Sequence, residues 1–240
     1  MKLRFPLLVL VCANTFGQNE NFLHKRYIVE RLADLNSLQT GSIPNLPSAP
    51  PGLQGDVYLT QHFQESSFTL FKDEQKLSGF FSKLDLQRHE FNIITPQGLR
   101  VLNGDLVRSV VSLDSLTKIP HYYFNGKSFK SASGIPSVGF YELLVEGEIP
   151  LLKKTELEFL KANFNPALNV GSKDHKYLKN HFFYYLKNGL IYPISKKNFF
   201  TIFGDRQKEM EAFGKSKKLK AENDLISIFD YYNKLVTREN

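Results

Sequence analysis

The chain has 240 residues, 42% apolar and 23% charged, proportions of a folded globular protein and not of a disordered one. Its formal net charge is +7 and its one cysteine is Cys12. Beyond residue 17 no apolar stretch approaches the roughly 18 residues that a membrane-spanning helix needs, which excludes a helical transmembrane protein.

Residues 1–17 read as a secretory signal peptide. Lys2 and Arg4 precede an apolar run over 5–13, and Thr15 and Gly17 offer small side chains at the −3 and −1 positions of a cut before Gln18. Cleavage removes Cys12, so the mature chain is expected to have no disulfide, no thiolate metal ligand and no cysteine nucleophile. A lipidated start at Cys12 fits less well, because such sites want a small residue where Val11 stands.

Residues 18–39 place Leu23, Ile28, Leu32, Leu35 and Leu38 at mostly three- and four-residue steps, the pattern of a short N-terminal amphipathic helix. Residues 40–54 hold Pro44, Pro47, Pro50 and Pro51, which rules out a helix or a central strand and predicts an extended linker.

From residue 55 to 194 the pattern changes to short β runs separated by turn residues. Strands are predicted at 57–59, 68–71, 77–81, 91–95, 99–101, 106–113, 122–124, 140–145, from 149, 182–186 and 190–194. Asn103-Gly104, Asn125-Gly126 and Asn188-Gly189 are read as type I′ hairpin turns, because this pair readily takes the positive φ that such turns demand. Successive strands with no intervening helical pattern predict an antiparallel β-meander, a curled sheet or open barrel.

Residues 195–240 form the predicted C-terminal helical region. Ser195 can cap a segment ended by Gly204, and Asp205 can cap another that Gly214 stops. Leu225, Ile228, Phe229, Tyr232 and Leu235 then form the clearest helical stripe in the chain, with Glu222 and Asp224 at its positive end.

Gly55-Asp56-Val57-Tyr58-Leu59, Gly139-Phe140-Tyr141-Glu142-Leu143-Leu144-Val145-Glu146-Gly147, Leu151-Leu152-Lys153-Lys154-Thr155-Glu156 and Asn165-Pro166-Ala167-Leu168-Asn169-Val170-Gly171-Ser172-Lys173-Asp174 stand out as motifs. So do Phe203-Gly204-Asp205 and Asp230-Tyr231-Tyr232-Asn233. Together they resemble an uncharacterised family of exported proteins of Bacteroidota-type bacteria, over about residues 55–236. The resemblance implies an address and a β-rich architecture, and no known activity. Secreted cargo of such bacteria often carries a C-terminal immunoglobulin-like domain, whereas a helical ending implies the periplasm or the outer membrane in preference to an extracellular destination.

Six histidines follow the leader: His24, His62, His89, His121, His175 and His181. None falls in a metal-ligand spacing, and no metal or cofactor is expected. Asp174-His175 with His181 could meet in space, against the simpler reading of incidental loop histidines. Ser137 lacks the glycine two residues before it that a nucleophile elbow needs. Glu142, Glu146 and Glu148 are close enough to suggest an acid pair, yet that spacing also describes the solvent face of a hairpin. No catalytic residue is therefore named.

Charge is uneven. Residues 151–220 carry 15 basic and 6 acidic side chains, and all the basic ones but Arg206 are lysine. Sequence-specific nucleic-acid readout leans on arginine, so none is expected. Weak contact of this segment with anionic envelope surfaces is the partner reading. The leading function is an exported, non-enzymatic binding or interaction module, with a hydrolase using an unrecognised site or a structural assembly factor as the alternatives.

Overall fold

The structure, a computed structural model, describes residues 41–43 (backbone only), 52–131, 134 and 137–237. The predicted leader, the N-terminal helix and the proline-bearing part of the linker lie outside the described residues.

Thirteen strands and two α-helices make up the described chain. The first strands are β1 (Gly41–Ile43), β2 (Leu53–Gln54), β3 (Gln64–Leu70), β4 (Lys76–Asp85), β5 (Glu90–Thr95) and β6 (Gly98–Asn103). Next come β7 (Val107–Leu113), β8 (Pro120–Asn125), β9 (Lys130–Ser131), β10 (Phe140–Val145), β11 (Leu151–Leu160), β12 (His175–Lys187) and β13 (Leu190–Pro193). A 3-10 helix over Phe199–Arg206 leads into α1 (Gln207–Gly214) and α2 (Glu222–Thr237).

The order across the sheet is β1-β6-β5-β4-β3-β7-β8-β10-β11-β12-β13-β9, with β2 added in parallel to β12. The other pairings are antiparallel except β13 with β9, and the sheet stays open. The predicted mainly β, open, curled architecture with C-terminal helices is what the chain forms.

Period-two burial explains the strands. Gln64, Ser66, Phe68 and Leu70 of β3 all turn inward, while Glu65 between them is exposed. Among the longer strands the meander breaks between β6 and β7: β7 pairs with β3, and only Gly104–Leu106 links it to β6. So short a link requires strong curling, which brings Phe91 of β5 against Phe140 of β10 at 4.9 Å between ring centroids. The interior so formed is filled by Phe68, Leu77, Phe80, Phe91, Leu102 and Tyr123 among others.

Two of the three Asn-Gly pairs are not hairpin turns. Asn103 and Asn125 stay extended (φ −62° and −66°), and each side chain caps a single 3-10 turn by accepting from the N–H two residues on. The glycines are needed for close approach. A Cβ on Gly104 would collide with the His89 carbonyl oxygen, and one on Gly126 would sit 2.7 Å from that of Ser137. Asn125 then ties the two turns together, its Nδ2 donating to the carbonyls of Gly104 and Val107, both at 2.9 Å. Only Asn188-Gly189 takes positive φ at both residues (52° and 75°), closing a two-residue hairpin between β12 and β13.

The helices cover the sheet at β10–β12. Leu225, Ile228, Phe229 and Tyr232 are buried on α2 as the stripe predicts, packed with Phe199, Phe203, Met210 and Leu151. Gly204 is left-handed (φ 55°) as expected. The preceding helical segment, however, begins at Phe199, past Ser195, and α1 follows Arg206 without a side-chain cap from Asp205. The aromatic run of β12 is divided between two faces. Phe183 and Tyr185 pack toward the helices, Tyr184 packs with Tyr141 on the other side, and Phe182 is exposed.

Candidate functional site

The strongest polar constellation among the described residues lies on the inner face of β8, β10 and β11. Strand register sets Tyr123 opposite Glu142 and Glu142 opposite Lys153, so the three side chains form one row across three strands. Glu142 is 8% exposed. Its Oε1 lies 2.7 Å from His121 Nδ1 and its Oε2 lies 2.7 Å from Lys153 Nζ. Lys153 Nζ also reaches Glu222, in the first turn of α2, at 3.2 Å.

This corrects the reading of Glu142 as one acid on a hairpin's solvent face. Phe140 has the same strand parity, and both side chains point inward. Glu146 and Glu148 are exposed and stand apart from the row.

The electrostatics follow from the burial. Desolvation pulls the Lys153 ammonium down, but the hydrogen bond and charge of Glu142, with the charge of Glu222, outweigh it and hold its pKa above the ordinary value. Burial pushes the Tyr123 phenol well above its usual range, and the charges of Glu142 and Asp114 add to that. Neither group is poised to exchange a proton near neutral pH.

A second polar cluster adjoins the first. Ser82 Oγ donates to Ser66 Oγ at 2.8 Å, Ser66 Oγ donates to the Gln64 carbonyl at 3.0 Å, and Ser112 Oγ donates to Gln64 Oε1 at 2.7 Å. Ser112 is directly opposite His121 in the β7–β8 register. Serine, histidine and glutamate therefore stand in the chain of neighbours that an acyl-transfer triad would use. The Ser112 proton is nevertheless committed to Gln64, and the His121 ring leans toward β10 to meet Glu142. The arrangement is a satisfied polar network, and among the described residues no buried side-chain nitrogen or oxygen lacks a partner.

Space confirms this. The cavity beside Ser66, Ser82 and Ser112 has a volume of about 20 Å³, and the one beside Glu142, Lys153 and Thr155 about 10 Å³. Each has room for one water at most.

The other sequence candidates are dispersed. His175 Nδ1 accepts from the Ala162 N–H at 3.1 Å and its ring stacks on Phe159, while His181 Nδ1 lies 3.0 Å from Thr155 Oγ1. Asp174 Oδ2 accepts from Gln54. His62 is exposed, His89 sits in the β4–β5 turn, and His24 lies outside the described residues. Ser137 lies in the loop before β10, against Gly126. Among the described residues no group of three His, Cys, Asp or Glu is placed to hold a metal ion.

The lysines of 151–220 do not share one face. Lys153 turns inward, Lys187 donates to the Ile202 carbonyl at 2.7 Å, and Lys154 and Lys179 pair with Glu156 and Asp56. The exposed ones divide into two groups. Lys161, Lys173 and Lys176 lie at the tip of the β11–β12 hairpin; Lys196, Lys197, Lys208, Lys215, Lys218 and Lys220 surround the helices. The distance along β12 from Phe183, under the helices, to His175, at the tip, is about 26 Å at roughly 3.3 Å per residue. That exceeds the Debye length of about 8 Å at physiological salt, so the two groups act separately.

Sequence reasoning missed His121 and Lys153 as partners of Glu142, Tyr123 as its neighbour across the strands, and Glu222 as the second carboxylate on Lys153. One signal for the cluster existed: an acidic residue at an inward-facing strand position demands a partner.

No family model, no curated protein and no solved structure matches the chain. Among the described residues no helix is long and apolar enough to cross a membrane.

Proposed function

We propose that the chain is an exported, non-enzymatic interaction module of the cell envelope that acts through its outer surface. One observation carries the reading. The curled sheet is filled with side chains, and the two cavities beside its polar clusters, of about 20 and 10 Å³, fall far below the roughly 300–1,000 Å³ of a small-molecule site. This favours a partner met from outside, where Phe81, Ile94, Leu160 and Leu168 are exposed. Export is supported by the leader over residues 1–17.

The hydrolase reading draws on the His121–Glu142 contact beside Ser112. It requires Ser112 to leave Gln64 and a substrate to displace well-packed side chains.

Native mass spectrometry of protein recovered from an envelope fraction tests the proposal. The expected species begins at Gln18 and carries no bound small molecule. A retained ligand of a few hundred daltons would overturn the surface-acting reading, and a mass that includes residues 1–17 would overturn export.

A further inference from the structure

The tip of the β11–β12 hairpin is an apolar apex flanked by lysines, held in shape by its own hydrogen bonds. Beyond Leu157, the last β11 residue packed against the interior, Glu158, Phe159 and Leu160 are all exposed. The loop over 161–174 is nonetheless ordered by pairing. Asn163 N–H donates to the Ser172 carbonyl at 2.9 Å and Asn165 N–H to that of Val170 at 2.8 Å. Asn165 Oδ1 accepts from the Ala167 N–H at 3.0 Å, and Asn169 (φ 48°) and Gly171 (φ 95°) turn the chain back.

The result is a built projection. Leu168 stands at its apex at 69% exposure, with Val170 at 55% and Leu160 at 41%. Lys161, Lys173 and Lys176 flank these side chains, and Lys173 Nζ lies 4.6 Å over the Phe164 ring. The one acid within 161–176, Asp174, is engaged by Gln54.

We propose that this tip docks on the surface of an anionic lipid bilayer, with Leu168 and Val170 entering the headgroup–acyl boundary and the lysines facing the headgroups. The proposal rests on the surface-acting reading above and names its partner. Two arguments select lipid. Lysines around an apolar centre complement a surface that is anionic outside and apolar beneath. A rigid protein partner needs a patch of roughly 800 Å², whereas a narrow, convex two-stranded turn suits a medium that deforms around it. The lysines about the helices lack such a centre, because the apolar side chains there are packed into the core beneath α1 and α2.

The chain has no tryptophan, so Leu168→Trp in the full-length protein places a lone indole at the apex. Vesicles of phosphatidylcholine with phosphatidylglycerol, and of phosphatidylcholine alone, are added at low and at physiological salt. A blue shift with the anionic vesicles, weakened by salt, is expected. Phe81→Trp, an exposed site on a different part of the sheet, is expected to show no shift.

Adding Lys161→Gln and Lys173→Gln should lower partitioning roughly 25-fold, about fivefold for each lysine. Leu168→Ser, read by co-sedimentation, should lower it roughly tenfold, as removal of a leucine side chain from an apolar medium does, and circular dichroism checks that each variant keeps its fold. Vesicle binding that these tip changes leave intact would overturn the tip as the docking element, while leaving a surface-acting module in place. Equal shifts with both lipids would overturn the anionic partner. Absence of binding to either vesicle would overturn the lipid proposal in favour of a protein partner.

Discussion

Replacing Lys153 by methionine tests whether the row on the inner face is a buried charge network. Lys153 sits between Glu142 and Glu222, with its side chain 14% exposed and that of Glu142 10%. The methionine fills similar space but leaves Glu142 with His121 alone. Stranding one member of a buried pair costs about 3–5 kcal/mol, a large share of the roughly 5–15 kcal/mol that holds most domains folded. The double variant Glu142→Leu/Lys153→Met removes both charges where Leu84, Leu86 and Phe140 already line the space. It should return to within about 1 kcal/mol of the parent or exceed it, as apolar replacements of buried pairs do. His121, 35% exposed at its side chain, can then turn to water. Guanidinium denaturation followed by circular dichroism measures Lys153→Met, Glu142→Leu and the double variant, with an unchanged m value as the condition for comparison. A loss below about 1 kcal/mol for Lys153→Met, well under the range for buried pairs, would refute the network. So would a double variant as unstable as the sum of its singles.

Phe229→Ala should cost about 3–5 kcal/mol, because the ring is fully buried and meets Phe203 at 5.4 Å and Phe199 at 6.2 Å between centroids. A midpoint shift worth less than about 1 kcal/mol in the same denaturation assay would mean that α2 does not depend on this contact. His89 predicts a pH effect. Burial first, and then the charge of Lys154, hold its pKa below the ordinary 6.5. The unfolded chain therefore takes up the proton first, so this contribution is complete above about pH 6.5 and declines as pH falls. His89→Asn, which tolerates the left-handed backbone there (φ 56°), should flatten the fall of denaturation midpoints toward pH 5. Identical pH profiles would refute it.

The strands and the last helix are legible because their periods come from burial on one side. The spacing of Phe68 and Leu70 and the stripe from Leu225 to Tyr232 each report a single apolar neighbour. The turns are harder to read, because asparagine has two uses. It tolerates positive φ, and its side-chain oxygen also caps a turn without it. What decides is whatever lies against the glycine. Among the described residues no atom lies within 4 Å of a Cβ added to Gly189, whereas Gly104 and Gly126 are pressed against distant backbone. That information belongs to the tertiary structure. The same holds for β1. The proline-rich stretch excludes a central strand, but Gly41–Ile43 precede the first proline and, among the described residues, pair with β6 alone.

The inner-face row marks where local reading ends. Glu142 sits in a predicted strand with the parity of Phe140, but Tyr141 and Leu143 make the other parity equally apolar, so its inward direction does not follow from the sequence. Nor do its partners. His121 lies 21 residues earlier and Lys153 on the following strand, and only the order β8-β10-β11 makes them neighbours. Glu222 arrives 69 residues after Lys153, carried by a helix whose docking is fixed by Phe229 and Leu225 and not by charge. The apolar pattern therefore selects the arrangement, and the charges are satisfied within it. A buried carboxylate that meets its partners in this way adds little net stability over an apolar substitute. It does penalise packings that separate Glu142 from Lys153. The His121–Glu142 contact adds the same penalty across β8 and β10, the pair that must form while β9 goes to the far edge of the sheet.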